Sequence, residues 1–561
     1  MNMAITLQHQ CFASQSNATA SYKGRRSTAT EIQKERNSLL DLIRSCGGPK
    51  DLFKAMQIHN DIVLNQRFLE DAYVNKALIT MYVKCGALIK AREVFDNLTE
   101  RDVVAWTSLI SGYAHHGHGN EALEYYNRMR KEGFSPNAVT FISVLKACNA
   151  SSFLDIGESI HEEAEKMGLL PKHIVLGTSL ISMYAKCGVL KKAQDVFNQL
   201  PSRDAVSWNA LISGYADHGY GNEALQCFMQ MQDEGTSPNV VTFLCVLKAC
   251  TSIQCAKMGE EIYAEVRKKG LLEENVVLGN AVLDMYAKCN MLLKAHWVFN
   301  ELPIRDVVSW NLLVSGYVKN GQLEHAFNSY ERMRNEGLCP DNDTFTCMLK
   351  AGGIKGELKR GKYLHSVIYT VDYLGKDNML GTSLVYMYAK CCAVTLAQRV
   401  FDELTFRDIV SWSALISAYV QIGQGENSLK CFEQMEREQL CPNEITFTCT
   451  LKACGSLGEI HKGKQIHGKI VSKGLLGKDL ALNNALVDMY AMCGSLLEAK
   501  QVFDGLSIRD AVLWSALISG YTRKGLVDEA LNLFEDMKND GLFPDSITYA
   551  CILKACASVG L

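Results

Sequence analysis

The chain has no apolar run approaching the roughly 18 residues that a transmembrane helix requires, and no two of its 21 cysteines are spaced C-x-x-C. The first absence excludes a spanning helix, and the second removes the usual zinc signatures. A large excess of either charge is missing too, since 58 basic residues face 61 acidic ones for a net charge of −3. That balance argues against coating duplex DNA by bulk electrostatics but leaves room for a locally basic groove. Residues 1 to 30 lack Asp and Glu, carry Lys23, Arg25 and Arg26, and are rich in Ser, Thr and Ala. This is the composition of an organellar transit peptide, and without a long apolar core it is not a secretory signal. It suits a mitochondrion and a chloroplast equally.

What the chain does have is repetition. Its 48% hydrophobic content gives 561 residues ample material to bury, and Trp106, Trp208, Trp310, Trp412 and Trp514 recur at one interval of 102 residues. Self-similarity of this kind indicates an array whose units contact only their neighbours. The cysteines obey the same period: Cys85, Cys187, Cys289, Cys391 and Cys493 form one column, and Cys46, Cys148, Cys250, Cys454 and Cys556 another. Repeated among apolar residues, they read as buried free thiols in a reducing compartment.

Each period divides into units of 35, 36 and 31 residues, the first set being 103–137, 138–173 and 174–204. In the 35-residue unit VVAWTSLISGYAH is a first helix, Gly117 breaks it, GNEALEYYNRMRKEG is a second helix, and Pro136 ends the unit. Trp106, Leu109, Ile110 and Tyr113 share one helix face, matched by Ala122, Leu123, Tyr126 and Met129 on the second helix. These stripes are expected to be core. Val104 and Thr107 lie on the opposite face of the first helix, which stacked units align into a groove. Lys84, Lys186, Lys288 and Lys390, joined by Lys319 and Arg523, recur along that groove as phosphate candidates.

At this point the chain resembles the pentatricopeptide repeat family, in its plant class of alternating P, L and S motifs. The resemblance rests on strings such as WNALISGYADHGYGNEALQCFMQM, TFLCVLKAC and MYAKCGVLKKAQDVF and covers 36–561. It divides the chain after a leader of 1–35 into L 36–71, S 72–102, P 103–137, L 138–173, S 174–204, P 205–239, L 240–275, S 276–306, P 307–341, L 342–377, S 378–408, P 409–443, L 444–479, S 480–510, P 511–545 and a partial L unit 546–561. The implied fold is all-α: a right-handed α-solenoid superhelix of antiparallel two-helix repeats. The implied ligand is single-stranded RNA, read at about one base per repeat.

In that family the fifth residue of a repeat bonds a base edge and the last residue tunes the choice. Carried over, the P units offer Thr107 with Asn137, Asn209 with Asn239, Asn311 with Asp341, Ser413 with Asn443, and Ser515 with Asp545. The S units offer Thr178 with Asp204, Asn280 with Asp306, Thr382 with Asp408, and Asn484 with Asp510. A restriction of two columns to small polar side chains is not expected of a generic scaffold. The family's pairing rule then gives 5′-A-N-G-Y-N-U-U-N-G-A-N-U-G-3′, with the L units unassigned. Ile142, Leu244, Thr346, Thr448 and Ala550 stand at the fifth position of L units, and Lys76 departs from the rule, so its unit receives no base. The second residues Val104, Val175, Val206, Val277, Val308, Val410 and Val512 are expected to sandwich bases, contributing affinity without discrimination.

Members of this class often carry carboxy-terminal extensions, including a cytidine-deaminase-like domain with H-x-E followed by P-C-x-x-C around zinc. His161-Glu162-Glu163 fits the first half by letter, but His161 recurs as His59, His365 and His467 and is a repeat residue. The expectation is therefore a non-enzymatic, cofactor-free RNA adaptor of a plant organelle. It would act in editing or other transcript maturation alongside a separate deaminase or processing enzyme, and away from membranes. The chain stops after one helix of its last unit, which reads as a truncated product. The rival reading is a protein-binding scaffold of the tetratricopeptide type. Its 34-residue units leave the Asn/Asp ends unexplained. A nuclease ranks last, because no carboxylate cluster stands outside the repeat pattern.

Overall fold

Apolar residues three and four apart, punctuated by glycine and proline, dictate short helices that double back on one another. The computed structural model of the chain consists of such pairs. It describes residues 29–66, 68–148, 153–170, 172–370 and 378–559, with 32 α-helices, one short 3-10 helix and no strand among them. The expected leader lies mostly outside the described residues, but a helix occupies Ala29–Arg44 and packs on Ala72–Lys84. The last residues of the 1–35 segment therefore belong to that first helix. Glu31, Gln33, Lys34 and Glu35 are good helix formers that run without a break into the apolar Leu39, Leu40 and Ile43.

The chain divides into two units, residues up to Met258 and from Gly259 onward, and the two are built alike. In the first, Ala72–Lys84, Val103–His115, Ala138–Ala147, Ile174–Lys186, Ala205–Asp217 and Val240–Ser252 pack each on the next as one layer. The alternate helices, such as Gly119–Lys131 and Gly221–Asp233, form a second layer, each lying on its own partner and on the first-layer helix that follows. In the second unit the first layer runs from Val276–Lys288 through Val307–Lys319, Asn342–Lys355, Asn378–Lys390, Ile409–Gln421, Glu444–Leu457, Leu480–Met492 and Ala511–Arg523 to Ser546–Val559. Stacked helix pairs of this kind are an α-solenoid.

The turn glycines Gly117, Gly219, Gly321, Gly423 and Gly525 have φ between +69° and +83°, a conformation that ends a helix at no steric cost only for glycine. Gly214 serves a different purpose: a Cβ there would lie 2.5 Å from the Cβ of Ala185, so its absence lets two first-layer helices approach.

The tryptophans are buried, each meeting the phenylalanine of the preceding helix edge-on: Phe95–Trp106, Phe197–Trp208, Phe299–Trp310, Phe401–Trp412 and Phe503–Trp514, at 4.5 to 4.6 Å between ring centroids. Arginines cover the same phenylalanines, from Arg101 over Phe95 to Arg509 over Phe503. Thus the 102-residue ladder is a packing seam between the 31- and 35-residue units.

The two cysteine columns differ in burial. Cys46, Cys148, Cys250 and Cys454 are buried and Cys556 is half-buried, whereas Cys187, Cys289, Cys391 and Cys493 are half-buried and Cys85 is buried. The columns meet: the Cys187 and Cys493 thiols lie 3.7 and 3.8 Å from the carbonyl oxygens of Cys148 and Cys454. Burial pushes the Cys148 and Cys454 thiols up to about 12, which suppresses thiolate chemistry. The recurrent histidines are interlocks. Nδ1 of His59, His161, His365 and His467 lies 2.8 to 3.0 Å from the hydroxyl of Tyr82, Tyr184, Tyr388 and Tyr490, on the next first-layer helix.

Candidate nucleic-acid interface

The groove side chains are set by how each first-layer helix begins. Asn137, Asp204, Asn239, Asp306, Asp341, Asp408, Asn443 and Asp510 are the N-caps of the helices that follow them, and each side chain accepts a bond from a backbone N–H of the first turn. Asp545 does the same for Thr548 at 2.8 Å. This corrects one expectation. Asn and Asp are favoured N-caps in any helical protein, so the restriction of the last column to these residues has a sufficient cause in the scaffold and does not by itself argue for RNA.

The fifth residues are also less open than the sequence suggests. Thr107, Asn209, Asn280, Thr382, Ser413 and Ser515 are buried, and Thr178, Asn311 and Asn484 partly so, because the start of the next first-layer helix covers them. Fifth and last residues nevertheless meet. Asn209 Nδ2 donates to Asn239 Oδ1 at 3.1 Å, Asn280 to Asp306 Oδ1 at 3.1 Å, Asn311 to Asp341 Oδ1 at 2.8 Å, and Asn484 to Asp510 Oδ2 at 3.0 Å. Thr382, Ser413 and Ser515 donate more weakly to Asp408, Asn443 and Asp545, at 3.3 to 3.5 Å. Thr107 bonds Thr140 rather than Asn137. Thr178 does not reach Asp204, and its Oγ1 is buried without a partner. Lys76 forms an ion pair with Asp102 Oδ2 at 2.6 Å.

A third member of this set escaped the sequence reading, namely a hydroxyl at the third position of the next unit. Thr242, Ser309 and Thr344 donate to the Oδ1 of Asn209, Asn280 and Asn311 at 2.7, 2.6 and 2.5 Å. Thr140, Thr446 and Thr548 pair with the hydroxyls of Thr107, Ser413 and Ser515 at 2.5 to 2.8 Å. The same hydroxyls lie 2.7 to 3.2 Å from the capping Oδ1 of Asn137, Asn239, Asp306, Asp341, Asn443 and Asp545, and Thr242, Ser309 and Thr344 share their single proton between that oxygen and the reader's amide oxygen. The signal was a Ser/Thr column, visible only when consecutive units are superposed.

One electrostatic consequence follows. Burial pushes the Asp306 and Asp545 carboxyls up, but bonds from Ser309 and Asn280, and from Thr548 and Ser515, outweigh it and hold both below the ordinary carboxylate value.

Flanking the set is a row of exposed apolar side chains: Val104, Val175, Val206, Val277, Val308, Val410 and Val512 are 51 to 65% exposed. Val139, Val241, Ile445 and Ile547, the second residues of L units, belong with them at 53 to 61% and were not singled out from the sequence. A cleft of about 780 Å³ brings Lys84, Val104, Thr107, Asn137 and Val139 onto one wall system. In the second unit a smaller cleft of about 230 Å³ unites Lys390, Val410, Ser413 and Ile445. Each therefore holds a basic tip, two aliphatic plates and a polar reader. Lys288 is engaged by Asp284 at 2.7 Å, so it reaches a phosphate only by leaving that carboxylate. Arg523 lies close enough to Asp488 to oppose the rise that burial imposes on that carboxyl.

Comparison with known proteins gives this geometry a context. The PPR repeat family model matches residues 101–149, 203–252, 305–351, 407–456 and 509–558, and a single PPR repeat model matches 76–103, 178–204 and 280–307. A mitochondrial pentatricopeptide repeat-containing protein of Arabidopsis thaliana is 34% identical over 93% of this chain and 68% of its own length. A second from the same plant is 34% identical over 94% and 76% respectively. A chloroplastic one is 32% identical over 82% of this chain and 56% of its own length. Among solved structures, that of the maize pentatricopeptide repeat protein PPR10 superposes with a TM-score of 0.57 at 18% identity, covering 100% of this chain and 96% of its own. A structure of PPR10 in complex with an 18-nt psaJ RNA element gives 0.53 at 18% identity, covering 95% and 91%.

Proposed function

This chain belongs to the pentatricopeptide repeat family, and from that premise we propose that it is a sequence-specific single-stranded RNA-binding adaptor of a plant organelle, mitochondrion or chloroplast, without catalytic activity of its own. Its role would be to mark a site in a transcript for a separate editing deaminase or other processing enzyme. The observation that carries the reading is the recurrence of one arrangement: a polar fifth residue beside a capping Asn or Asp, flanked by exposed aliphatic plates, with a lysine at the mouth of the clefts. Relatives named mitochondrial and chloroplastic support the location, and the RNA held by PPR10 supports the ligand class.

The capping geometry supplies a physical reason for the pairing rule. Because Oδ1 of Asn137, Asn239 and Asn443 is committed to the helix start, the amide keeps Nδ2, a donor, for a ligand. Asp306, Asp341 and Asp545 commit Oδ1 in the same way and keep Oδ2, an acceptor. Adenine N1 and cytosine N3 are acceptors, so they suit Asn; guanine N1–H and uracil N3–H are donors, so they suit Asp. The fifth residue adds size: Asn reaches further than Ser or Thr, which favours the smaller pyrimidine ring. The assigned pairs thus read 5′-A-N-G-Y-N-U-U-N-G-A-N-U-G-3′, with Val104, Val175, Val206, Val277, Val308, Val410 and Val512 against base faces and Lys84, Lys186, Lys288, Lys319, Lys390 and Arg523 toward phosphates. A tetratricopeptide-type protein scaffold lacks support from the family models.

Gel-shift titration of the full chain against this RNA and a scrambled RNA of equal composition, at fixed salt, tests the proposal. The expected result is clear preference for the former; equal affinity for both contradicts it.

A further inference from the structure

We infer that beside an asparagine reader the hydroxyl at the third position of the following unit is a positioning residue for base choice, and that the Asn484/Asp510 pair, which lacks it, discriminates its base more weakly than Asn280/Asp306. The inference rests on the base-reading proposal above. Units that follow a P or S unit carry Thr140, Ser207, Thr242, Ser309, Thr344, Ser411, Thr446 and Thr548 at the third position, whereas units that follow an L unit carry Val74, Leu176, Leu278, Leu380 and Leu482. After S or P units only Ala105 and Leu513 break the pattern. Ala105 follows the unit of Lys76, which receives no base. Leu513 follows Asn484, which leaves Asn484 as the one assigned reader without a hydroxyl.

The column is not explained by capping alone. Ala105 and Leu513 are capped through their backbone N–H by Asp102 and Asp510 at 3.0 and 2.8 Å, with no hydroxyl present. What changes with the hydroxyl is the reader. Beside Thr242, Ser309 and Thr344, the amide oxygen of Asn209, Asn280 or Asn311 accepts the hydroxyl and its Nδ2 turns to the Oδ1 already used by the cap. In Asp306 and Asp341 this leaves Oδ2 as the acceptor for a base N–H. Beside Leu513 the arrangement splits. Asn484 Nδ2 takes Asp510 Oδ2, Leu513 N takes Oδ1, and Asn484 Oδ1 is buried without a partner. Lys76 beside Ala105 likewise goes to Oδ2 of Asp102. Beside an asparagine reader the hydroxyl therefore decides which oxygen the reader occupies and which is left for the base, and it fixes the rotation of the reading amide; Ser207 and Ser411, which follow the threonine readers Thr178 and Thr382, donate instead to the carbonyl oxygens of Asp204 and Asp408.

The test is equilibrium binding of the full chain to the 13-base RNA with U or C at the sixth base, read by Asn280, and at the twelfth, read by Asn484. The wild type is expected to prefer U over C more strongly at the sixth base than at the twelfth. Ser309→Ala should lower the U-over-C ratio at the sixth base about fivefold, the worth of one hydrogen bond, with Ser309→Thr retaining it and the twelfth base unaffected. Leu513→Ser should raise the ratio at the twelfth base by a similar factor. Leu513 is buried, so the fold of that variant is checked by circular dichroism; if it does not fold, the Ser309 pair alone decides. Unchanged ratios in Ser309→Ala, or equal loss for U and C, overturn the inference while leaving base reading intact. No preference at either base in the wild type overturns the base-reading proposal itself, and this inference with it.

Discussion

Asn137 holds two roles that a single substitution separates. As N-cap it accepts Thr140 N at 2.9 Å, and as the last residue of its unit it keeps an amide donor for the first base. Asp caps a helix as well as Asn does, so Asn137→Asp is expected to leave the melting temperature unchanged and move preference at the first base from A to G. Asn137→Ala should lose the cap, about 1 kcal/mol, and relax the choice. Parallel thermal melts and binding to RNAs with A or G at that base separate the two effects. The pairing of fifth and last residues was legible through the family resemblance, because both columns stand out when Trp106 and its copies set the register. The burial of Thr107 and its equivalents was not legible. Cover comes from the next helix, roughly thirty residues on, and no local pattern within one unit reports it. The hydroxyls Thr242, Ser309 and Thr344 were hidden for the same reason, since each serves a reader in the preceding unit.

At the scale of helices, the periodicity of Trp106, Leu109, Ile110 and Tyr113 marks the buried face, because a 3.6-residue repeat leaves no other face for those side chains. The half-burial of Cys187 and Cys391 was not visible from the apolar residues around them, and Cys85, at the same place after its helix, is buried. Trp310→Ala removes the ring packed on Phe299 and is expected to destabilise the array by about 3–5 kcal/mol without shifting base preference among molecules that remain folded. Chemical denaturation measures the first and binding at low temperature the second.

The His–Tyr interlocks give a pH signature. Burial lowers the pKa of His59, His161, His365 and His467. The unfolded chain then binds more protons than the folded one between the folded values and the ordinary 6.5, so stability is full above about 6.5. It falls as the pH drops from there toward the lowered values. Melting temperature is therefore expected to decline on going from pH 7.5 to 5, and the decline should shrink when His161 and His467 are both replaced by Gln. An unchanged slope would remove the interlocks as its cause.

Across the whole molecule a net charge of −3 means that phosphate binding is local rather than global. If all six basic candidates meet phosphates, log K should fall with log salt at a slope of about −4, each contact adding about −0.7. Lys84→Ala should reduce the slope by one such step and weaken all RNAs alike, whereas changes at fifth or last positions should alter preference and leave the slope untouched. The most direct measurement of base-by-base reading is selection of bound RNA from a random pool by the full chain and by Asn311→Thr. The account predicts a consensus containing A-N-G-Y-N-U-U-N-G-A-N-U-G for the wild type, and the same consensus with only the seventh base changed from U to G for the variant. A wild-type consensus unrelated to this order, or a variant that changes a different base or several bases, would contradict it.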